Sequence, residues 1–362
     1  MDKKIRLGIV GFAHMHITQM VDSFLAKPDV FEWVGCADLP PKVAPISSES
    51  GTRKRNIENI TSRCGMTLSQ DYHDVIAMKP DIIIVTCENA LHPAVVCEIL
   101  SHGIHVVLEK PMALNYADAL NMVRTANEHG VKLIVNWPTT WDPSFRTAYR
   151  LMQEGHIGRV IKFHYRNMES LGPFSYGQHM THEEMNAEWW YQSEMGGGAM
   201  ADYLGYGCNL SRWFLGQRPQ AAFAVKETFF TDFADTEDYS AMTICYPGAI
   251  ALLEGTWATF ASGQVPAGPV LFGEKGTIVT DRLSGKVNVY TQRHQKTPTM
   301  VVEADPMPEG RENLANEVLH YLKTGELHPT LDYAVNLDAV ACVDAAYRSV
   351  KSKKMEDANL QA

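Results

Sequence analysis

Short apolar runs alternate with amphipathic stretches throughout the first 136 residues. The apolar runs predict strands near residues 5–10, 31–37, 81–86, 104–108 and 131–135. The stretches between them predict helices near residues 15–26, 52–63, 71–78, 93–102 and 115–129. Strands that alternate with helices form a parallel sheet with crossover helices. We therefore predict an α/β domain over residues 1–136.

The pattern changes after Trp137-Pro138, where longer alternating segments replace the strand-helix repeat. Strands are predicted near residues 158–167, 220–229, 238–246, 250–260, 268–273, 276–281 and 286–291. Helices are predicted near residues 143–154, from about Asp202, and near 311–323 and 331–350. Alternation with a period of two is typical of half-buried antiparallel strands. We predict a second, α+β domain over residues 137–362, built on a large open, mostly antiparallel sheet.

Composition excludes several classes of protein. The chain has 362 residues, of which 45% are hydrophobic and 20% charged, as is ordinary for a soluble globular protein of two domains. Its formal net charge of −10 disfavours a nucleic acid partner. No apolar run approaches the roughly 20 residues of a membrane helix, and the start of the chain does not resemble a signal peptide. The seven scattered cysteines include no Cys-x-x-Cys pair, which argues against a disulfide framework and predicts a cytoplasmic protein.

The first strand runs directly into a glycine turn. Gly11 holds the first position of a phosphate-binding fingerprint, followed by Phe12, Ala13 and His14, and backbone amides at such a turn can bind a pyrophosphate. Ala13 and His16 stand where the second and third glycines are common. We expect His16 either to point into the cleft or to be solvent-facing or locally hydrogen-bonded.

The apolar run of residues 104–108 ends in Glu109-Lys110-Pro111. Ligands of open α/β sheets bind beyond the carboxyl ends of the strands, so Lys110 is predicted at substrate or cofactor. A lysine cation there would stabilise the charge that develops on a reacting oxygen. The alternative is that Lys110 only forms a surface salt bridge, but this would not explain why a buried apolar strand leads directly into the tripeptide.

With the glycine turn and the Glu-Lys-Pro tripeptide, the chain resembles the glucose-fructose oxidoreductase, inositol dehydrogenase and rhizopine-catabolism (Gfo/Idh/MocA) superfamily over nearly its whole length. The resemblance implies an N-terminal Rossmann domain that binds NAD(P), a sugar or polyol substrate, and a C-terminal sheet that joins subunits into a homodimer or homotetramer. It also implies that Glu109 holds Lys110 or contacts the nicotinamide ribose, and that Asn136 lies in the cofactor site.

Asp38 follows the second strand, where an acidic residue accepts hydrogen bonds from the adenosine ribose. Its charge would repel a 2′-phosphate, so we expect NAD rather than NADP. The cluster Arg53-Lys54-Arg55 could reach a 2′-phosphate, although a solvated helix face is the interpretation we favour for it. The alternative for Asp38 is that it merely ends a strand.

The segment from Thr86 to His92 resembles the superfamily's turn near the nicotinamide ribose. It has one extra residue, and cysteine replaces proline. The residues assigned there to the cofactor are Thr86, Cys87, Asn89 and His92. His92 would look the same if it only capped the following helix.

A glycine run at residues 196–198 leads into the second signature. The superfamily motif Asp-x-Gly-x-His-x-x-Asp appears here with Asp202 kept, Tyr206 in place of the histidine and Asn209 in place of the last acid. Asp202 and Tyr206 are four residues apart and would share one helix face. We expect Asp202 to position substrate hydroxyls and Tyr206 to relay a proton, provided that a nearby lysine lowers its pKa.

Two further groups are candidates for the substrate pocket. His179 and His182 have a spacing that a metal could use, but no further ligands are evident, so we expect no metal and assign His182 to the substrate. Trp137, Trp141, Trp189 and Trp190 are interpreted as walls of a sugar pocket or as core, and Trp137 is assigned to the substrate.

Together these residues predict a dehydrogenase that transfers a hydride between NAD and the CH–OH group of a sugar, polyol or related small polar molecule. Lys110, Tyr206 and Asp202 are the predicted catalytic residues. Two alternatives stay open. One is a non-catalytic dinucleotide-binding sensor or regulator, and the other is an NAD-dependent glycosidase.

Overall fold

The first half of the chain alternates strands and helices in a computed structural model that describes residues 3–168, 173, 179–260, 267–294 and 296–360. The strands are β1 (Ile5–Val10), β2 (Phe31–Ala37), β3 (Leu68–Ser69), β4 (Ile82–Val85), β5 (His105–Glu109) and β6 (Leu133–Asn136). The helices are α1 (Ile17–Leu25), α2 (Arg53–Cys64), α3 (Tyr72–Ala77), α4 (His92–Ser101) and α5 (Tyr116–Glu128). Every residue of β4 and β6 is buried, and all are aliphatic except Asn136 at the end of β6, as expected of strands covered on both faces.

The strands form a parallel sheet with the order β3-β2-β1-β4-β5-β6 in the described residues. The order reverses between β1 and β4, and in such sheets the ligand crevice lies outside the carboxyl ends of the strands at this reversal. The turn after β1 and the ends of β2, β4, β5 and β6 therefore meet at one edge. This confirms the predicted Rossmann-type fold.

A second sheet dominates the rest of the chain. Its strands are β7 (Val160–Met168), β8 (Ala221–Glu227), β9 (Tyr239–Tyr246), β10 (Ala249–Thr256), β11 (Val270–Gly273), β12 (Thr277–Asp281), β13 (Lys286–Tyr290), β14 (Met300–Glu303) and β15 (Glu356–Asp357). Their order in the described residues is β14-β13-β12-β11-β7-β10-β9-β8-β15. Neighbours are antiparallel except β7 and β10. The large, mostly antiparallel sheet was also predicted.

The helices of this part of the chain include α6 (Pro143–Gln153), α7 (His182–Asn186), α8 (Gly205–Leu215), α9 (Leu314–Thr324) and α10 (Tyr333–Ser352). Of these, α6, α8 and α10 pack against one face of the second sheet. The predicted helix near Asp202 begins with a π-helical turn, Met200–Leu204, which continues into α8. Such turns are rare and occur often at functional sites.

Helix α9 packs against the first sheet, although its position in the chain places it in the second predicted domain. Leu314 and Val318 are buried in one cluster with Leu7, Phe24 and Ile84. The chain therefore returns to its N-terminal half after the second sheet is complete.

The other face of the second sheet carries exposed apolar side chains. Ile161, Phe223, Val225, Ile250 and Leu252 are all at least 37% exposed. All seven cysteines lie in the described part of the chain and are free thiols. Among the described residues, no helix combines the length and apolar character that crossing a membrane requires.

Candidate active site

Lys110 and Asp202 form a buried ion pair at the carboxyl edge of the first sheet. Lys110 follows β5 and Asp202 lies in the π-helical turn, and the Lys110 ammonium donates to Asp202 Oδ1. The Lys110 Nζ atom also lies 4.7 Å from the ring centre of Tyr206. The structure thus brings together the three residues that the sequence assigned to catalysis.

This trio borders a cavity of about 330 Å³. The lining also includes His14, His16, Thr139, Trp190 and Arg282. Arg282, which follows β12, was not predicted, because nothing in its local sequence connects it to the first sheet. The cavity is lined by cations, a carboxylate, a phenol and an aromatic wall, a combination that suits a small polar molecule.

The pKa of Tyr206 does not behave as expected. Burial raises it well above the ordinary value for tyrosine, and the carboxylates of Asp202 and Glu109 raise it further. Lys110 faces the ring of Tyr206 and gives its hydrogen bond to Asp202. The condition for a proton relay, that a lysine lowers this pKa, is therefore not met, and Tyr206 is a hydrogen-bond donor near neutral pH.

The glycine turn after β1 is buried and satisfied within the protein. The amide of Phe12 donates to Asp38 Oδ1 (3.1 Å). The amides of Ala13 and His14 both donate to the carbonyl oxygen of Thr86 (3.0 and 3.1 Å). Gly11 has φ +86°, and a side chain there would meet the backbone of Cys87. The amides predicted for a pyrophosphate are thus already hydrogen-bonded.

Asp38 belongs to a buried ionic cluster. Arg53 Nη1 lies 2.8 Å from both carboxylate oxygens of Asp38, and Arg53 Nη2 donates to Glu88. Only 4% of the Arg53 side chain is exposed, whereas 58% of that of Arg55 is. The interpretation of this helix face as solvated is wrong for Arg53, because long-range contacts with Asp38 and Glu88 cover it.

The segment from Thr86 to His92 braces the same edge. Thr86 Oγ1 donates to the carbonyl oxygen of Gly11 (2.7 Å), and Asn89 Nδ2 donates to that of Gly196 (3.0 Å). The His92 ring lies between the carbonyl oxygens of Cys87 and Pro111. Burial lowers the pKa of His92. These residues lie at the predicted place, and their polar atoms hold the turn together.

Glu109 organises the end of β5. Its Oε2 accepts from Asn136 Nδ2 (3.1 Å), and its Oε1 lies 2.8 Å from His16 Nδ1. Of the two expectations for His16, the first describes the structure, because the ring reaches the cavity. Burial lowers the pKa of His14 well below the ordinary value, so its ring is neutral.

His14, His16 and Glu109 place three possible metal-ligand atoms within 4.8 Å of one another. His14 Nδ1, however, accepts a hydrogen bond from the His16 amide (3.2 Å). The neutral ring then carries its hydrogen on Nε2, so this nitrogen has no lone pair for a metal, and it lies 3.9 Å from Glu109 Oε1 without a hydrogen bond. Two ligands remain, fewer than a zinc site uses.

Residues 187–192 lie over the dinucleotide surface. Trp189 Nε1 donates to the carbonyl oxygen of Ala13 (3.0 Å), and Trp190 packs against His14. The cavity between Arg53, Glu88 and Glu188 measures only about 10 Å³. Asp38 after β2, Glu109 at the end of β5 and Asn136 at the end of β6 supply side-chain acceptors and donors of the types that NAD requires. Trp189 contacts the turn through the Ala13 carbonyl oxygen, and we call residues 187–192 the cover segment.

Two predicted substrate residues lie outside the cavity lining. Trp137 is buried behind Tyr206, with ring centres 5.2 Å apart, and its Nε1 donates to Asn336. His182 is exposed and stacks on Phe233 with ring centres 4.1 Å apart. The structure therefore brings Trp137 to the site only through Tyr206, and does not bring His182 to it.

Comparison with known proteins identifies both halves of the chain. Residues 5–137 match the family described as the oxidoreductase family with an NAD-binding Rossmann fold. Residues 145–279 match the GFO/IDH/MocA C-terminal domain.

Two curated relatives are similar over part of their length. A D-xylose 1-dehydrogenase [NADP(+)] of Haloarcula marismortui is 26% identical over 252 residues, which are 69% of this chain and 65% of the relative. A 2,7-anhydro-N-acetylneuraminate hydratase of Mediterraneibacter gnavus is 37% identical over 93 residues, a quarter of each chain. The matches thus span less than two thirds of either relative.

A solved structure shows the same fold over the whole chain. Levoglucosan dehydrogenase, in complex with NADH and levoglucosan, superposes with a TM-score of 0.80 at 17% identity, covering 99% of this chain and 100% of that one. With both family models matched in their expected order, this chain belongs to the GFO/IDH/MocA oxidoreductase family, whose N-terminal domain is an NAD-binding Rossmann fold.

Proposed function

We propose that the protein is an NAD-dependent oxidoreductase that interconverts the CH–OH group of a sugar or polyol and the corresponding carbonyl. The observation that carries this proposal is the buried pair of Lys110 and Asp202 at the wall of a polar cavity beside the cofactor turn. The name of the relative described as a D-xylose 1-dehydrogenase supports the substrate class. The hydratase relative matches too little of the chain to suggest a reaction.

Bound NAD would accept or supply the hydride. It would be held at the turn of Gly11 to His14, with Asp38 at the adenosine ribose and Glu109 and Asn136 near the nicotinamide. Lys110 donates a hydrogen bond to the reacting oxygen and stabilises the negative charge that develops on it. Asp202 fixes the ammonium group, and Tyr206 donates from its neutral phenol.

NAD rather than NADP is the proposed cofactor because Asp38 stands at the end of β2. Arg53 pairs with the same carboxylate, so a cation is also present at this point. Calorimetric titration with NAD and with NADP would show whether the negative charge of Asp38 or the positive charge of Arg53 determines the cofactor preference.

The remaining expectations concern assembly and location. We propose that the exposed apolar face of the second sheet joins two copies of the chain, since it presents five large apolar side chains on β7, β8 and β10. Seven free thiols support a reducing, cytoplasmic location.

A second candidate is a protein that binds the dinucleotide as a signal without turnover. It is favoured by one observation, namely that the cover segment occupies the surface of the cofactor turn. The same contact would make nucleotide binding move a part of the chain.

The deciding experiment combines calorimetry with NAD and NADP and an absorbance assay for reduced nicotinamide on D-xylose, levoglucosan and other polyols. Binding of NAD with turnover of any polyol supports the oxidoreductase. Binding without turnover supports the second candidate, and failure to bind either nucleotide contradicts both.

A further inference from the structure

His16 is held in one orientation at the edge of the cavity. Its Nδ1 lies 2.8 Å from Glu109 Oε1, and the other oxygen of Glu109 accepts from Asn136. A carboxylate only accepts hydrogen bonds, so Nδ1 donates and the lone pair of the neutral ring lies on Nε2. In the described residues Nε2 has no hydrogen-bond partner, and 22% of the side chain is exposed. The ring, which lines the cavity, thus has a free acceptor nitrogen.

The neighbouring groups cannot accept a proton as readily. Lys110 is an ammonium paired with Asp202, and Tyr206 keeps its proton because burial raises its pKa. His14 carries a hydrogen on Nε2, and burial opposes its protonation. The titratable and charged groups around His16 are His14, Glu109, Lys110, Asp202, Tyr206 and Arg282.

We infer that His16 Nε2 is the base that removes the hydroxyl proton during oxidation, with Glu109 as a positioning residue. The inference rests on the proposed function. The substrate C–H bond breaks and its hydride passes to NAD⁺, which is reduced to NADH. The O–H bond breaks, its electron pair forms the carbonyl bond, and its proton passes to His16. The role of base is thus assigned to His16, whose sequence position belongs to the phosphate-binding turn.

Replacement of His16 tests the inference by rate and by rescue. We expect His16→Gln to lower kcat by about 10²- to 10⁴-fold, because it removes a general base, and to leave NAD affinity within about threefold. His16→Ala should recover turnover when imidazole is added, in proportion to the concentration of its neutral form. His73→Gln is the matched control, because His73 Nδ1 also contacts a carboxylate (Asp71, 2.6 Å) but is exposed and far from the cavity.

Nuclear magnetic resonance of ¹⁵N-labelled histidine tests the geometry without a substrate. The His16 signal, assigned by its loss in His16→Gln, should show hydrogen on Nδ1 in the wild-type protein. Glu109→Gln should shift it towards the Nε2–H form and lower kcat more than it changes KM.

The outcomes separate this inference from the proposed function. If the wild-type protein turns over a polyol, either of two results overturns only the role of His16. One is an unchanged rate and pH profile in His16→Gln, and the other is an Nε2–H tautomer of His16 in the wild-type protein. A wild-type protein that binds NAD but oxidises no polyol overturns the proposed function, and the tautomer then still decides whether His16 can act as an acceptor.

Discussion

Two buried ionic clusters lie at the same sheet edge and differ in what surrounds them. Lys110 and Asp202 border a cavity of about 330 Å³, whereas Arg53, Asp38 and Glu88 lie beside a space of about 10 Å³ under the cover segment. Both clusters are buried and ion-paired, although Lys110 faces one carboxylate and Arg53 faces two. The first cluster has room beside it for a reactant and the second does not while the cover segment is in place, so the two clusters differ in the space beside the buried charges.

Loss of the lysine should give the largest effect on activity. We expect Lys110→Ala to lower turnover by about a thousandfold or more, since it removes the cation at the reacting oxygen. NAD affinity should stay largely unchanged, because the turn of Gly11 to His14 is intact. Steady-state kinetics and calorimetry measure the two quantities.

Two further variants show whether the loss of turnover in Lys110→Ala could arise from misfolding. Lys110→Arg keeps the ion pair with Asp202 but moves the charge, and should also lose most turnover. Lys162→Ala is the control, because Lys162 also packs over an aromatic ring, that of Phe272, in the second sheet. Wild-type turnover in Lys110→Ala would show that the two clusters do not differ in function.

Removal of Arg53 should mainly affect stability. Arg53→Met leaves Asp38 and Glu88 buried without a cation, which should lower the free energy of unfolding by about 3–5 kcal/mol. Arg55→Met, two residues along the same helix, removes an exposed side chain and should change it by less than about 0.5 kcal/mol. Urea denaturation compares them. Equal stability of Arg53→Met and the wild type would mean that the cluster is open to water.

Glu188 of the cover segment should make stability depend on pH. Burial raises its pKa to about 7 from an ordinary value of 4.5, outweighing the Arg53 amide hydrogen bond that lowers it. The folded state therefore holds a proton that the unfolded state releases between pH 4.5 and 7, and stability falls as pH rises through this window. The cost is fully present above about pH 7.

Glu188→Gln should remove this cost. We expect a gain of at most roughly 3 kcal/mol in the free energy of unfolding at pH 8 and little gain at pH 4.5. Glu128→Gln, an exposed position, serves as the control. A gain that did not depend on pH would assign the effect to something other than this carboxyl group.

The smallest expected effect concerns the cover segment itself. Trp189→Phe keeps an aromatic ring but loses the hydrogen bond to Ala13. If the cover segment competes with NAD, loss of this hydrogen bond should weaken the closed position of the segment by about 1 kcal/mol and tighten NAD binding about fivefold. Trp33→Phe controls for the substitution. Weaker NAD binding in Trp189→Phe would show that the tryptophan supports the nucleotide site rather than blocks it.

Elements with long apolar runs could be predicted from the sequence, and short edge elements could not. The predicted ranges of β1 and β2 agree with the structure because the apolar residues of each strand are consecutive in the sequence and mark its extent. β3 has only two residues and the edge strand β14 only four, which is too short for a strand pattern to be recognised. The predicted strand at residues 250–260 ends at Thr256.

Within the site, motifs located residues but not their environment. Lys110 and Asp202 were identified from two separate motifs, and the fold brings them together. The burial of Arg53 and the raised pKa of Tyr206 depend on contacts between distant segments, which no local pattern shows. Trp189 was grouped with aromatic residues of a pocket or core, and its contact with Ala13 spans 176 positions of the chain.

The packing of α9 against the first sheet affects how the chain folds during its synthesis. During synthesis the N-terminal half leaves the ribosome first, but the apolar surface around Leu7, Phe24 and Ile84 is not covered until Leu314 and Val318 have emerged. A nascent chain in this condition exposes apolar surface of the kind that chaperones bind. The apolar cluster of the first domain is therefore complete only after α9, near the end of the 362-residue chain, has been synthesised.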